Sequence, residues 1–355
     1  MKIFAFYLPQ FHEIPENNEW WGEGFTEWTN VKKATPLFNG HVQPRVPLGN
    51  KYYNLLDKET VKWQTSLMKQ YGIDGMIYYH YYFLGKMLLE KPAENLLADS
   101  SINQPFFFCW ANHSWNRSWR GSREVLLEQT YGTSEDWEKH FQYLLPFFKD
   151  NRYEKRANKP LFMTFSSHFD EAKDMFKYFD LRCKEEGFDG ICLIETYHGN
   201  CTLEEFKANK ISCSDLIFYR EPSVTTLMYK HDPKNIMRRI RLKILKELRK
   251  KNLYKKPDVI NGNKLMEYKI AHEPMGNGIA HGSFFAWDNT PRHGYRGYVI
   301  TQVSEDLFAK YMGKIKDEEY LFINAWNEWA EGMMLEPTEE NGHLFLDWVK
   351  RYRPV

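Results

Sequence analysis

The 355-residue chain lacks the marks of several large protein classes. It has no run of 18 consecutive apolar residues, the pattern of a membrane-crossing helix. Its five cysteines are odd in number and fit no zinc spacing. Cys109 and Cys192 sit inside apolar runs and read as small buried hydrophobes, not halves of a disulfide framework. His-Glu-x-x-His, His-x-His and paired cysteines are all missing, which leaves no signature for a catalytic metal or other cofactor. Gly-x-Ser-x-Gly, the elbow of a serine hydrolase, is missing too. After the first apolar run comes Leu8-Pro9-Gln10-Phe11, with no glycine-rich turn to cradle a phosphate, so a doubly wound nucleotide-binding sheet is the weaker reading. Charge of neither sign is in excess: 48 Lys and Arg face 47 Asp and Glu. That balance argues against nucleic acid as a partner of the whole molecule. Met1-Lys2-Ile3-Phe4 enters a strand pattern with no signal-peptide apolar region, and with the cysteine usage this predicts a cytoplasmic location.

Aromatic residues, by contrast, are plentiful. The chain holds 12 Trp, 22 Tyr and 25 Phe, 17% of its residues. Many must fill the core, but rings in loops suit the C–H faces of sugars. The most informative stretch is Trp326-Asn327-Glu328-Trp329-Ala330-Glu331-Gly332, directly after the apolar run Tyr320-Leu321-Phe322-Ile323. Two carboxylates among tryptophans are costly unless paired or used. On a continuing strand, residues three apart face opposite sides, so both reach one ligand only if the chain turns after Glu328. Gly332 permits such a turn.

Eight apolar segments alternate with helical patterns. They are Ile3–Tyr7, Gly75–Tyr79, Phe106–Trp110, Leu161–Phe165, Gly190–Ile194, Leu216–Tyr219, Ser283–Trp287 and Leu321–Ala325. Nearly continuous apolar runs fit strands covered on both faces. Ser134 is placed to cap a helix presenting Trp137, Phe141, Leu144, Leu145 and Phe148 on one face. Asp170 is placed to cap another, which Gly187 stops. The alternation predicts an α/β fold, a (β/α)8 TIM barrel forming a single domain over 1–355 and exceeding the usual ~250 residues. Two insertions account for the extra length: an aromatic lid loop at about 12–54 and a basic helical insertion at about 220–279. Residues 230–256 carry 12 Lys or Arg against Asp232 and Glu247. Ile236, Ile240, Ile244 and Leu248 form a stripe at helical spacing. The plainer reading docks that stripe on the barrel with a solvated basic face; the sharper one sets it on an anionic membrane surface or a phosphate-bearing carrier.

Reactive groups of such barrels gather where strands give way to loops. The predicted exits offer Tyr7; His80; Trp110, Asn112, His113 and Trp115; Glu195 and Tyr197; Trp287; and Trp326 and Asn327 before Glu328 and Glu331. With Trp21 of the lid loop, these form the expected lining of a sugar cleft for an oligosaccharide or polysaccharide. The opposite strand ends, such as Gly72-Ile73-Asp74 and Asn158-Lys159-Pro160, read as plain turns.

Phe6-Tyr7-Leu8-Pro9-Gln10-Phe11-His12 and Trp21-Gly22-x-Gly24-Phe25-x-Glu27-Trp28 resemble the opening of WbsX-type proteins. These are found with bacterial surface-polysaccharide assembly and are related to the endo-α-mannosidase family 99 of glycoside hydrolases. Tyr78-Tyr79-His80-Tyr81-Tyr82-Phe83, Trp110-Ala111-Asn112 and Asn327-Glu328-Trp329-x-Glu331-Gly332 through Glu336-Pro337 agree. The resemblance implies a (β/α)8 barrel acting without metal on an α-mannoside-like substrate with retention. It also implies that Glu328 takes a proton from the sugar's own 2-hydroxyl, whose oxygen attacks the anomeric carbon. Glu331 would protonate the leaving oxygen and later activate water. Because the WbsX branch is often labelled glycosyltransferase, transfer in polysaccharide assembly stands as the alternative to hydrolysis, and a non-catalytic glycan-binding barrel as a third.

Overall fold

The computed structural model describes residues 1–117 and 124–354. Its core is a closed barrel of strands β1 (Lys2–Tyr7), β2 (Gly75–Phe83), β3 (Phe106–Trp110), β4 (Lys159–Thr164), β5 (Cys192–Tyr197), β6 (Ser214–Tyr219), β7 (Ile279–Ser283) and β8 (Tyr320–Ile323). Consecutive strands pair in parallel, and β8 closes on β1 with Lys2 opposite Tyr320. This is the (β/α)8 barrel that the alternation predicts.

Period-two alternation sorts each strand into an inner and an outer row. Phe4, Phe6, Phe107, Phe218 and Phe322 meet inside the barrel, with ring centroids 5.2 Å apart for Phe4–Phe107, 5.3 Å for Phe6–Phe218 and 5.4 Å for Phe218–Phe322. Phe106 and Phe108, on the outer row, pack on Phe147 of the helix Ser134–Lys149. Each buried ring contributes roughly 1.5–3 kcal/mol through lost water contact. The barrel is therefore stabilised from within by phenylalanine and from without by amphipathic helices. The first of those helices starts one residue earlier than predicted, because Thr133 is its N-cap in a capping box with Asp136. The second, Ala172–Glu185, follows Glu171 rather than an Asp170 cap.

Two strands depart from expectation. The fifth runs from Cys192 to Tyr197, not Gly190–Ile194. The seventh is Ile279-Ala280-His281-Gly282-Ser283, not Ser283–Trp287. Its polar residues hid it from an apolar-run search, yet all five are buried. His281 Nδ1 lies 2.6 Å from the Glu273 carboxylate, and a Cβ on Gly282 would lie 2.4 Å from the Tyr219 carbonyl oxygen. Trp287–Asp288 pairs instead with Tyr298–Ile300, which pairs with Asp258–Ile260 in a small separate sheet.

The segment expected as an aromatic lid loop contains helices α1 (Pro15–Trp21) and α2 (Glu27–Lys33). Trp28 of α2 packs on Trp329 with centroids 5.4 Å apart, and its Nε1 donates to the Tyr53 carbonyl at 2.8 Å. His41 and Gln43 meet the buried Asp288 carboxylate at 2.7 and 2.6 Å. Burial pushes Asp288 upward, but these partners and Thr290 outweigh it and hold its pKa below the ordinary value. The basic helix Ile236–Lys250 has no fully buried residue, and of the expected stripe only Leu248 is half-buried. Ile236, Ile240 and Ile244 are 49%, 48% and 56% exposed.

Candidate active site

Strand β8 ends at Ile323, and the chain pairs Asn327–Glu328 with Met333–Met334 around a single 3-10 turn at Trp329–Glu331. Gly332 closes the turn at φ 60°, where a Cβ would lie 2.9 Å from Asp288 Cβ. The turn brings Glu328 and Glu331 to one side, and both line the same cavity of ≈ 310 Å³. Trp21, Tyr79, Tyr81 and Trp115 supply rings to its wall, and Gln10, His113, Ser114, Asn116, Arg220 and Arg292 supply polar groups.

Arg292, from the short helix Thr290–His293, gathers three carboxylates. It meets Glu27 of α2 at 2.8 Å, Glu328 at 3.4 Å, and Glu331 in a close contact through Nη1. Glu27 is fully buried, and burial raises its pKa against the pull of Arg292. Burial likewise pushes the Glu328 carboxyl up to about 8, with the Glu331 charge adding and Arg292 opposing. Glu331 keeps 22% of its side chain open to solvent, against 9% for Glu328. A deep, proton-retaining carboxyl thus stands beside a shallower one. That pairing suits proton transfer in both directions at one ligand.

Of the sequence-predicted lining, Trp21, His113 and Trp115 join Glu328 and Glu331 at the cavity. The others lie elsewhere. The Tyr7 hydroxyl donates to Gln64 at 2.7 Å on the outer side of β1. Gln64 in turn donates to Glu336 at 2.6 Å, and Tyr53 and Trp329 bind the same buried carboxylate at 2.7 and 2.6 Å. Burial raises Glu336 to about 7. His80 Nε2 sits 2.8 Å from His140 Nε2 between barrel and helix, where burial lowers its pKa to about 3. Trp110 donates to the Tyr82 carbonyl at 3.1 Å and packs on His140. Asn112 bridges both backbone groups of Ser166, at 2.8 Å to N and 2.7 Å to O. Glu195 accepts the Ile211 amide at 3.0 Å, and the Tyr197 hydroxyl donates to the Cys201 carbonyl at 2.5 Å. Trp287 packs on Tyr298 at 4.7 Å, and Trp326 is fully buried. Asn327 clamps Leu8, accepting its N–H at 2.7 Å and donating to its C=O at 3.0 Å. These residues shape the barrel mouth from behind rather than lining it.

Sequence reasoning missed Tyr79 and Tyr81, Arg220 and Arg292, and Glu27 as a partner of the carboxylate pair. Alternation could have found the tyrosines, since residues flanking an outward His80 point inward. The Arg220 guanidinium lies 4.7 Å above the Phe165 ring and donates to Ser223 at 3.0 Å. No motif announces either arginine. Among the described residues, no group of three or more His, Cys, Asp and Glu is placed to hold a metal ion.

A closed (β/α)8 barrel with two glutamates and a fringe of rings at its C-terminal mouth defines the class of molecule. A family model described as Glycosyltransferase WbsX matches residues 3–349, and the chain belongs to that family. It is 31% identical to an uncharacterized protein, WxcX, found in two strains of Xanthomonas campestris pv. campestris; the match covers 98% of this chain and 49% of the relative. The chain therefore spans about half the length of the curated relatives it matches. Among solved structures, the GH99 endo-alpha-mannosidase from Bacteroides thetaiotaomicron shares the fold with a TM-score of 0.56 at 13% identity, covering 99% of this chain and 97% of that one. A glycoside hydrolase-like protein shares it with a TM-score of 0.60 at 10% identity, covering 100% of this chain and 94% of that one.

Proposed function

We propose that the chain is a retaining glycosidase of the endo-α-mannosidase type, acting on a mannose-type or related polysaccharide. The observation that carries this reading is the Glu328–Glu331 pair, held by one arginine at a cavity walled with tryptophan and tyrosine. Glu328 takes the proton of the sugar's 2-hydroxyl as that oxygen bonds to the anomeric carbon. The glycosidic bond breaks at the same time, and Glu331 gives its proton to the leaving oxygen. Water then opens the three-membered ring at the anomeric carbon, losing a proton to Glu331 while O2 regains one from Glu328. A carboxylate with a raised pKa is the stronger base once ionised, which fits Glu328 to the less acidic hydroxyl. The more open Glu331 can exchange protons with entering water. Neither carboxylate bonds to the sugar, so both can come from one turn, unlike the usual retaining pair set about 5–5.5 Å apart across the ring.

The test is kinetic. Glu331→Gln should lose about 10²–10⁴-fold on substrates with poor leaving groups and much less on activated aryl α-mannosides. Equal loss on both would remove the acid role. A substrate with hydrogen in place of the 2-hydroxyl should not react, and its brisk cleavage would exclude participation by that oxygen. Intact bonds after long incubation of a tightly bound oligosaccharide would favour a glycan-binding barrel.

The family description favours a second reading, a transferase of surface-polysaccharide assembly in which a sugar hydroxyl replaces water. Product analysis with and without an acceptor glycan separates the two. Under either reading we infer a peripheral position on the inner, anionic face of a membrane. The exposed isoleucine row lies on a helix whose surroundings, residues 230–256, carry 12 cationic side chains. Such a helix lies in the interface with its apolar row among the acyl chains. Among the described residues, no helix is long and apolar enough to cross a membrane.

A further inference from the structure

A second cavity of ≈ 530 Å³ lies between the basic helix and the small sheet that carries Tyr298. Lys230, Lys246, Arg249, Lys250 and Arg296 line it with Tyr298, and Asp258 is the one carboxylate among its lining residues. Arg238 already holds that carboxylate, 3.2 Å away. Lys250 has a partner in Glu247 at 2.7 Å, but that contact is exposed and weak. The Lys230 ammonium sits 4.9 Å from the centre of the Tyr298 ring, where burial lowers its pKa. Arg249 donates Nε to the Lys256 carbonyl at 2.9 Å, while its Nη2 is shut from solvent without a protein acceptor. Five lining cations thus face one lining carboxylate, Asp258, which Arg238 shares. Lys230 and Arg249 are half-buried at this wall, and Lys246, Lys250 and Arg296 flank it from exposed positions.

We propose that this cavity is a binding site for a diphosphate group. Several oxygens and more than one negative charge are needed to satisfy cations on opposite walls, and planar guanidinium groups suit phosphate oxygens. The volume leaves room for part of the group's carrier. Placement links the cavity to the chemistry: Tyr298 and Asp258 belong to the same small sheet as Asp288, and the turn Gly294–Arg296 follows directly on the helix bearing Arg292. A diphosphate bound here would hold one end of a substrate while the glycan reaches the carboxylate pair. The site does not require the glycosidase reading to be right, and binding alone tests it.

The experiment is calorimetry of the full chain with inorganic pyrophosphate at moderate salt. The unsubstituted protein should bind one equivalent. Lys246→Gln/Arg249→Gln/Arg296→Gln should weaken binding at least ~10-fold, or about 1.4 kcal/mol. Arg241→Gln/Lys243→Gln, which removes two exposed cations of the same helix away from the cavity, should leave affinity within about 3-fold. Equal losses in both variants would mean diffuse attraction and overturn the site, as would absence of binding at millimolar pyrophosphate. Matching circular-dichroism melts guard against misfolding. Two further ligands separate the sources. A lipid diphosphate in micelles that binds more tightly than pyrophosphate, with the excess lost in Ile240→Ser/Ile244→Ser, marks a membrane carrier. Tighter binding of a nucleoside diphosphate that is indifferent to those serines marks a soluble donor.

Discussion

Arg292 opposes the burial that raises the Glu27 and Glu328 carboxyls. Removing it should raise the Glu328 pKa, because its attraction opposes the rise, whereas Glu27→Gln should lower it, because the Glu27 charge adds to the rise. Since Glu328 acts ionised, kcat/KM should climb with pH through about 8. Arg292→Gln should move that ascending limb to higher pH and Glu27→Gln to lower pH, measured on an activated aryl glycoside. Shifts in the same direction would break the link between the limb and Glu328. The same carboxyl has a consequence for stability. Its folded pKa of about 8 lies above the ordinary 4.5. The unfolded chain therefore loses this proton first as pH rises, and folding stability falls through the window from about 4.5 to about 8. Gln mimics the protonated form at every pH. Glu328→Gln should match the parent in thermal melts near pH 4.5 and be more stable by about 1–3 kcal/mol near pH 9, allowing for the lost contact with Arg292. An equal difference at both pH values would contradict the burial argument.

Strand β2 shows how an element divides chemistry from packing. In Tyr79-His80-Tyr81, the tyrosines line the cavity while His80 pairs with His140 behind the sheet. Tyr81→Phe should lower kcat/KM by about 10-fold, the worth of one hydrogen bond to a sugar hydroxyl. His80→Gln should stay within about 2-fold of the parent while lowering the melting temperature. Loss of activity by His80→Gln at unchanged melting temperature would reverse the assignment of rows. The same division explains what the sequence made legible. The closed barrel, six of the strands to within a few residues, and the turn that brings Glu328 and Glu331 together all follow from apolar runs and one glycine. Closeness to a strand end predicts Tyr7, Trp110, Glu195 and Tyr197 in the lining, but the alternation of rows turns each of them outward. Strand β7 escapes an apolar-run reading because its burial rests on His281, which meets the Glu273 and Glu318 carboxylates, and on Gly282, which lets the Tyr219 backbone come close. Arg220 directly follows strand β6 and Arg292 sits on the short helix Thr290–His293, and their meeting at the mouth is a tertiary event with no local signal.

At the scale of the whole molecule, charge is divided very unevenly. Residues 230–256 carry a balance of 12 − 2 = +10, so the remaining residues of this +1 chain sum to −9. A near-neutral total thus conceals a strongly polar molecule that an anionic surface would orient, basic helix inward. Near such a surface each Lys or Arg contributes about 1 kcal/mol, and the effect fades within a Debye length of about 10 Å at 0.1 M salt. The isoleucine row adds an attraction that salt does not screen. The two contributions predict separable behaviour in co-sedimentation with vesicles containing a third anionic phospholipid. The parent should bind well at 50 mM salt and lose at least about 10-fold in partition by 300 mM. Ile240→Ser/Ile244→Ser should bind more weakly at every salt concentration but retain the slope, since charge steers it still. Arg241→Gln/Lys243→Gln should flatten the slope and keep the residual binding at high salt. Because both isoleucines are about half exposed already, the serine variant should melt within about 0.5 kcal/mol of the parent. Salt-independent binding would remove the electrostatic half of this argument, and unchanged binding by the serine variant would remove the apolar half.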